Sequence, residues 1–162
     1  MAEAQGRVAT RSRAEMRAWL RPALAVGAGW LVPGLGHVMV GRLGRGLVFG
    51  LLVWCSFGLG LAHDGRLALR DERQPFLTTM QVVANLGVGP ADVIARLSVY
   101  GEAAYRVPLG TRLETADRLD EIFRERSRSA LSIYGTAYLW TAGLMNLLLL
   151  FDVWDIGRGR KA

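Results

Sequence analysis

The chain has 162 residues, 51% of them hydrophobic and 21% charged, with a formal net charge of +6. Its mean hydropathy is +0.22, so the apolar residues are gathered into blocks that a soluble domain of this size could barely surround. One cysteine (Cys55) and two histidines exclude an intrachain disulfide and a thiolate zinc site.

Residues 1–18 read as a basic tail, with Arg7, Arg11, Arg13 and Arg17 against Glu3 and Glu15. A helix is expected to begin at the membrane surface over Ala14 to Leu20, with Trp19 as an aromatic anchor and Arg21 able to snorkel. The block Ala23 to Val40 has His37 as its one titratable group. Pro33-Gly34 breaks it, because proline removes a backbone donor and clashes one turn back. Such a break at membrane depth needs protein or water to satisfy the freed groups. The segment therefore ends near the far interface or dips in and returns. No cleavage-site pattern follows it, which argues against a signal peptide.

Gly41-Arg42-Leu-Gly-Arg45-Gly46 reads as a turn. The block from Gly46 to Ala62 follows as a cleaner helix, without charge. Its Gly46 and Gly50 are spaced for close helix approach, with the first block as the expected partner or a second copy as the other option. Cys55 reads as a small buried apolar residue. A hairpin over 19–62 results.

Residues 63–128 form a middle segment with ten arginines and ten acids, so it is neutral. Phe76 to Leu86 and Ala91 to Tyr100 are separated by Gly87-Val-Gly-Pro90, and neither half is long enough to span. An interfacial or re-entrant pair is expected, with a full crossing as the minority alternative, and with Val93, Ile94 and Leu97 on one face and an Asp92–Arg96 ion pair. Thr111-Arg-Leu-Glu114 has capping-box spacing. An amphipathic helix should follow to about Ser127, with Leu119, Ile122 and Phe123 on one face and Glu114/Arg118 and Asp120/Arg124 as supporting pairs.

Ser129 to Phe151 carries no charge over 23 positions, enough for a helix across a hydrocarbon core of about 30 Å. The last span is expected over 129–156, followed by a basic tail over 157–162. The fold class is therefore all-α. The expected architecture is an integral membrane bundle with three main helices, the first broken at Pro33-Gly34, and amphipathic or re-entrant helices between. Both tails are basic, which favours an even number of crossings and both ends on one side.

Two constellations could carry chemistry. Pro33, Gly34, Gly36, His37, Gly41, Arg42, Arg45 and Gly46 form one. His37 there could relay protons or bind a metal, or more simply satisfy backbone groups freed by Pro33. Asn146, Asp152 and Asp155 form the other. Asp152 and Asp155 share a helix face and are expected to pair with Arg42, Arg45 or Arg158. Asn146, deeper, suits a helix–helix hydrogen bond, and the hairpin's small residues are expected against the last helix around Gly143 and Asn146. No nucleotide, P-loop, nucleophile-elbow or zincin spacing occurs.

Pro-Gly-x-Gly-His, an apolar run, then Gly-Arg resembles the signature of small bacterial membrane proteins of the two-transmembrane-helix type. Ala142-Gly-Leu-Met-Asn146, with Asp152-Val-Trp-Asp155-Ile, resembles an uncharacterised family of bacterial polytopic membrane proteins, a domain of unknown function. The resemblance covers residues 20–62 and 135–161; Val38 and Met39 stand where a tyrosine is usual. It implies a multi-pass protein of the bacterial inner membrane and carries no assigned activity. The expected role is non-enzymatic: a structural or accessory subunit, with no cofactor and no nucleic acid. Its expected partners are anionic lipid headgroups and other membrane subunits or itself. A channel or carrier component with a polar path through His37, Asp152 and Asp155 is the alternative.

Overall fold

The computed structural model describes residues 19–71, 74–106 and 113–161. It is helical, and among the described residues the nearest approach to a sheet is one isolated parallel bridge between Arg70 and Arg106. We number the helices α1 (19–31), α2 (Leu35–Met39), α3 (Leu43–Ala62), α4 (Pro75–Leu86), α5 (Pro90–Tyr100), α6 (Leu113–Arg128) and α7 (Ser132–Gly157). The basic tail over 1–18, the capping-box residue Thr111, and the side chains of Glu114, Asp120 and Phe123 lie outside the described set.

Two described helices, α3 with 20 residues and α7 with 26, are long and apolar enough to cross a membrane. Their lengths are about 30 and 39 Å at 1.5 Å per residue. They run antiparallel: Arg45 and Phe49 of α3 share a groove with Leu148 to Asp155 of α7, and Gly60 meets Leu139 and Gly135. The expected bundle had three spans, but the first segment turns back. Trp19 stacks edge-on against Trp154 at 5.5 Å, and Pro22 lies against Gly157. Gly29 reaches only the level of Leu150 and Asn146. The chain then turns at Pro33-Gly34, and α2 climbs back until His37 meets Asp152. The descent covers 11 residues of α7, about 16 Å, roughly half of a hydrocarbon core. Gly34 makes the reversal possible. It sits at φ +93°, in the left-handed region, pressed against the Gly46 carbonyl and Gly50 Cα. The Gly46/Gly50 face is thus occupied within the chain by the break itself.

The pair α4–α5 does the same from the other end. Its axes differ by 110° across the break at residues 87–89, so α5 returns instead of continuing. The turn lies against Gly143 and Leu147 of α7. At the far end of α5, Tyr100 Oη donates to the Leu67 carbonyl at 2.8 Å, close to where Gly65 packs on Gly135. Gly89, at φ +77°, lets the α4–α5 turn press on the Trp30 carbonyl. Trp30 Nε1 in turn donates to the Leu86 carbonyl at 3.0 Å. The two hairpin tips therefore touch beside the middle of α7.

The apolar face expected on α5 points outward. Ile94 and Leu97 are 63% and 50% exposed, while Asp92, Ala95, Arg96 and Tyr100 are buried. In a bundle surrounded by lipid an apolar stripe faces outward, and polar groups turn inward to find partners. Cys55, expected to be buried, is exposed on α3 for the same reason. The turn after α2 is shorter than expected: α3 begins at Leu43 and takes in Gly44, Arg45 and Gly46. Helix α6 covers the α5 end of the bundle through buried Leu119 and half-buried Ile122. A break at Ser129 to Leu131 separates it from α7, so the two are not one continuous rod.

Candidate functional site

Two polar clusters on α7 join the sequence-selected residues. The deeper one is Asn146, on the buried face of α7 and 1% exposed. Its Nδ2 donates to the Gly29 carbonyl at 3.3 Å and to the Gly87 carbonyl at 2.8 Å. Each hairpin ends in a turn whose carbonyls lack helical partners. One side-chain amide therefore satisfies both tips, and the expected helix–helix hydrogen bond is observed. Gly143, however, does not face the first hairpin as expected. It packs on Ala84 and Gly87 of the second. The first hairpin's small residues meet α7 further on, with Gly29 against Leu150 and Gly36 against Val153.

The shallower cluster lies near the C-terminal end of α7. Fully buried His37 places Nε2 at 3.2 Å from Asp152 Oδ2, and the Phe49 ring flanks it at 5.9 Å. Asp152 Oδ1 accepts from Lys161 Nζ at 2.9 Å. Asp155 pairs with Arg160 at 3.7 Å. This corrects the expected pairing: the two carboxylates take the tail cations Lys161 and Arg160, not Arg42, Arg45 or Arg158. Arg158 instead lies 4.2 Å above the Trp19 ring and 5.7 Å from that of Trp154, a cation–π seat that fixes the start of α1 on the end of α7. His37 bonds a carboxylate 115 positions away rather than backbone freed by Pro33. The carbonyl that Pro33 leaves without its helical donor is that of Gly29, four residues back, and Asn146 Nδ2 takes it.

The Asp152 hydrogen bond, then its charge, holds the Lys161 ammonium above the ordinary lysine value. At neutral pH, with the carboxylate ionised, the ammonium is therefore held on Asp152, and on the alkaline side the contact is lost as pH rises through that raised value. The cluster can orient an imidazole and hold the tail. Among the described residues no group of three or more His, Cys, Asp or Glu side chains gathers around a point that could take a metal ion.

Residues 24–162 match a family of unknown function, DUF6677. The chain belongs to that family. The DUF6677 match contains both clusters, from Gly29 and His37 to Asn146, Asp152 and Lys161, and agrees with the expectation of an uncharacterised domain. No curated protein and no solved structure matches the chain.

Sequence reasoning missed Lys161, Trp30, Gly29 and Gly87 as partners. Lys161 lies nine positions after Asp152, beyond any helical spacing, and reaches it because the chain turns at Gly159. Gly29 and Gly87 contribute carbonyls, which carry no residue-type signal.

Proposed function

We propose that this DUF6677 protein is a small multi-pass protein of the bacterial inner membrane that serves, without enzymatic activity, as an accessory subunit of a larger membrane assembly. In this reading α3 and α7 are the two full crossings. Hairpins α1–α2 and α4–α5 enter from opposite faces and meet at mid-depth, and both ends of the chain lie in the cytoplasm. The orientation follows from charge. The end of the bundle where α7 finishes holds Arg21, Arg42, Arg45, Arg158, Arg160 and Lys161 against Asp152 and Asp155, whereas the segment on the opposite end is neutral.

The single observation that carries the accessory reading is the use made of the polar groups. Asn146, His37 and Asp152 are engaged in tying one part of this chain to another, as expected of a scaffold. A channel path through His37, Asp152 and Asp155 is less favoured, because Asp155 pairs outward with Arg160 and not with the other two.

Topology is tested with single cysteines in a Cys55→Ala background. A membrane-impermeant thiol reagent should label Glu102→Cys in intact spheroplasts and Arg160→Cys only after permeabilisation. Labelling of both from outside would remove the two-crossing arrangement. The subunit role is tested by native electrophoresis in mild detergent. The protein should migrate well above its 17.7 kDa monomer, with another membrane protein at fixed stoichiometry. A lone monomer with empty pull-downs would end the accessory reading.

A further inference from the structure

A groove of about 590 Å³ opens between the start of α3 and the end of α7. Arg45 and Lys161 stand at its polar end, with Phe49, Leu148 and Phe151 along its wall. Leu148 and Phe151 are 69% and 70% exposed, so the wall is continuous with the apolar exterior of the span. Asp152 and Asp155 line it as well, but both carboxylates are already engaged. Asp152 is held by His37 and Lys161, and Asp155 by Arg160. Exposed Arg45 has no ion-pair or hydrogen-bond partner among the described residues. Phe49 follows it on the same helix face, one turn toward the middle of the bundle. A guanidinium at an apolar–aqueous boundary matches a phosphate in forked geometry. A free phosphate would leave the greasy wall uncovered, and an apolar segment would leave Arg45 unmatched.

We propose that this groove binds an anionic glycerophospholipid, its phosphate on Arg45 and an acyl chain along Phe49, Leu148 and Phe151. The proposal rests on the membrane reading above and adds a defined lipid site to it. It is tested by native mass spectrometry of the full-length protein in detergent, titrated with phosphatidylglycerol or phosphatidylethanolamine. Phosphatidylglycerol should be retained about fivefold more strongly. Arg45→Gln should abolish that preference, Arg45→Lys should keep part of it, and Arg70→Gln, at the other end of the bundle, should leave it intact. Arg45 is exposed and makes no ion pair or hydrogen bond among the described residues, so its variants should fold. A large excess of inorganic phosphate should displace no lipid. Equal retention of the two lipids, or a preference untouched in Arg45→Gln, overturns the site while leaving the membrane reading standing. Displacement by inorganic phosphate overturns it in favour of a free-anion site. A protein that stays folded without detergent and retains neither lipid overturns both.

Discussion

Replacing Gly143 by alanine should destabilise the protein by about 3 kcal/mol or more, the upper range for forcing extra volume into a filled interface. A Cβ at this position would collide with the Ala84 carbonyl oxygen and lie 2.7 Å from its carbonyl carbon. Both obstructing atoms are backbone, so no rotamer change relieves the clash. A Cβ on the neighbouring Gly87 would likewise lie 2.8 Å from the Gly143 carbonyl carbon. The α4–α5 hairpin must then move off α7, and the Asn146 bond to the Gly87 carbonyl goes with it. Gly58→Ala is the matched control. Nothing lies within 4 Å of its Cβ position, and alanine is the better helix former by roughly 0.5–1 kcal/mol. Unfolding in a denaturing detergent titration, followed by tryptophan fluorescence, should show a large loss for Gly143→Ala and no loss for Gly58→Ala. Equal behaviour of the two would mean that the second hairpin is not seated on α7.

The places where the chain turns were legible because proline and glycine act on the backbone alone. Pro33-Gly34 and Gly87 to Pro90 mark both hairpin tips, and the outcome of each is reversal. Sequence left open whether the first break ends a span or returns, since that depends on what α2 meets. It meets Asp152, and a pairing between residues 37 and 152 has no local signature. The outward turn of the α5 stripe has a different cause. Periodicity identifies Val93, Ile94 and Leu97 as one stripe, but periodicity is silent about which side the stripe faces. In water it would point inward. Here the inward side belongs to Asp92 and Arg96, the pair that i,i+4 spacing did identify. The pairing of Asp152 and Asp155 was misread because every arginine near the hairpin turn was a plausible partner. Lys161 and Arg160 won by proximity, once the chain folded back after α7.

That inward pair carries the other large expected effect. Arg96 Nε donates to Asp92 Oδ2 at 2.9 Å with both side chains fully buried. Tyr105 Oη donates to the same oxygen at 3.2 Å, Arg96 Nη1 to the Ala104 carbonyl at 2.6 Å, and the guanidinium lies 4.2 Å over the Tyr105 ring. The segment after α5 is thereby folded back onto it. Asp92→Leu leaves a guanidinium buried without its counter-charge and should cost about 3–5 kcal/mol. Arg96→Met strands the carboxylate and should cost as much. The double variant Asp92→Leu, Arg96→Met removes both charges together. Asp92 Oδ1 and Arg96 Nη2 have no hydrogen-bond partner among the described residues, so the native pair is incompletely compensated and apolar replacement loses little. The double variant should recover to within about 1–2 kcal/mol of the parent. A double-mutant cycle on detergent-solubilised protein measures the coupling directly. Strict additivity of the two single losses would show that the two side chains do not act as a pair, and that the fold of residues 90–106 does not depend on their contact.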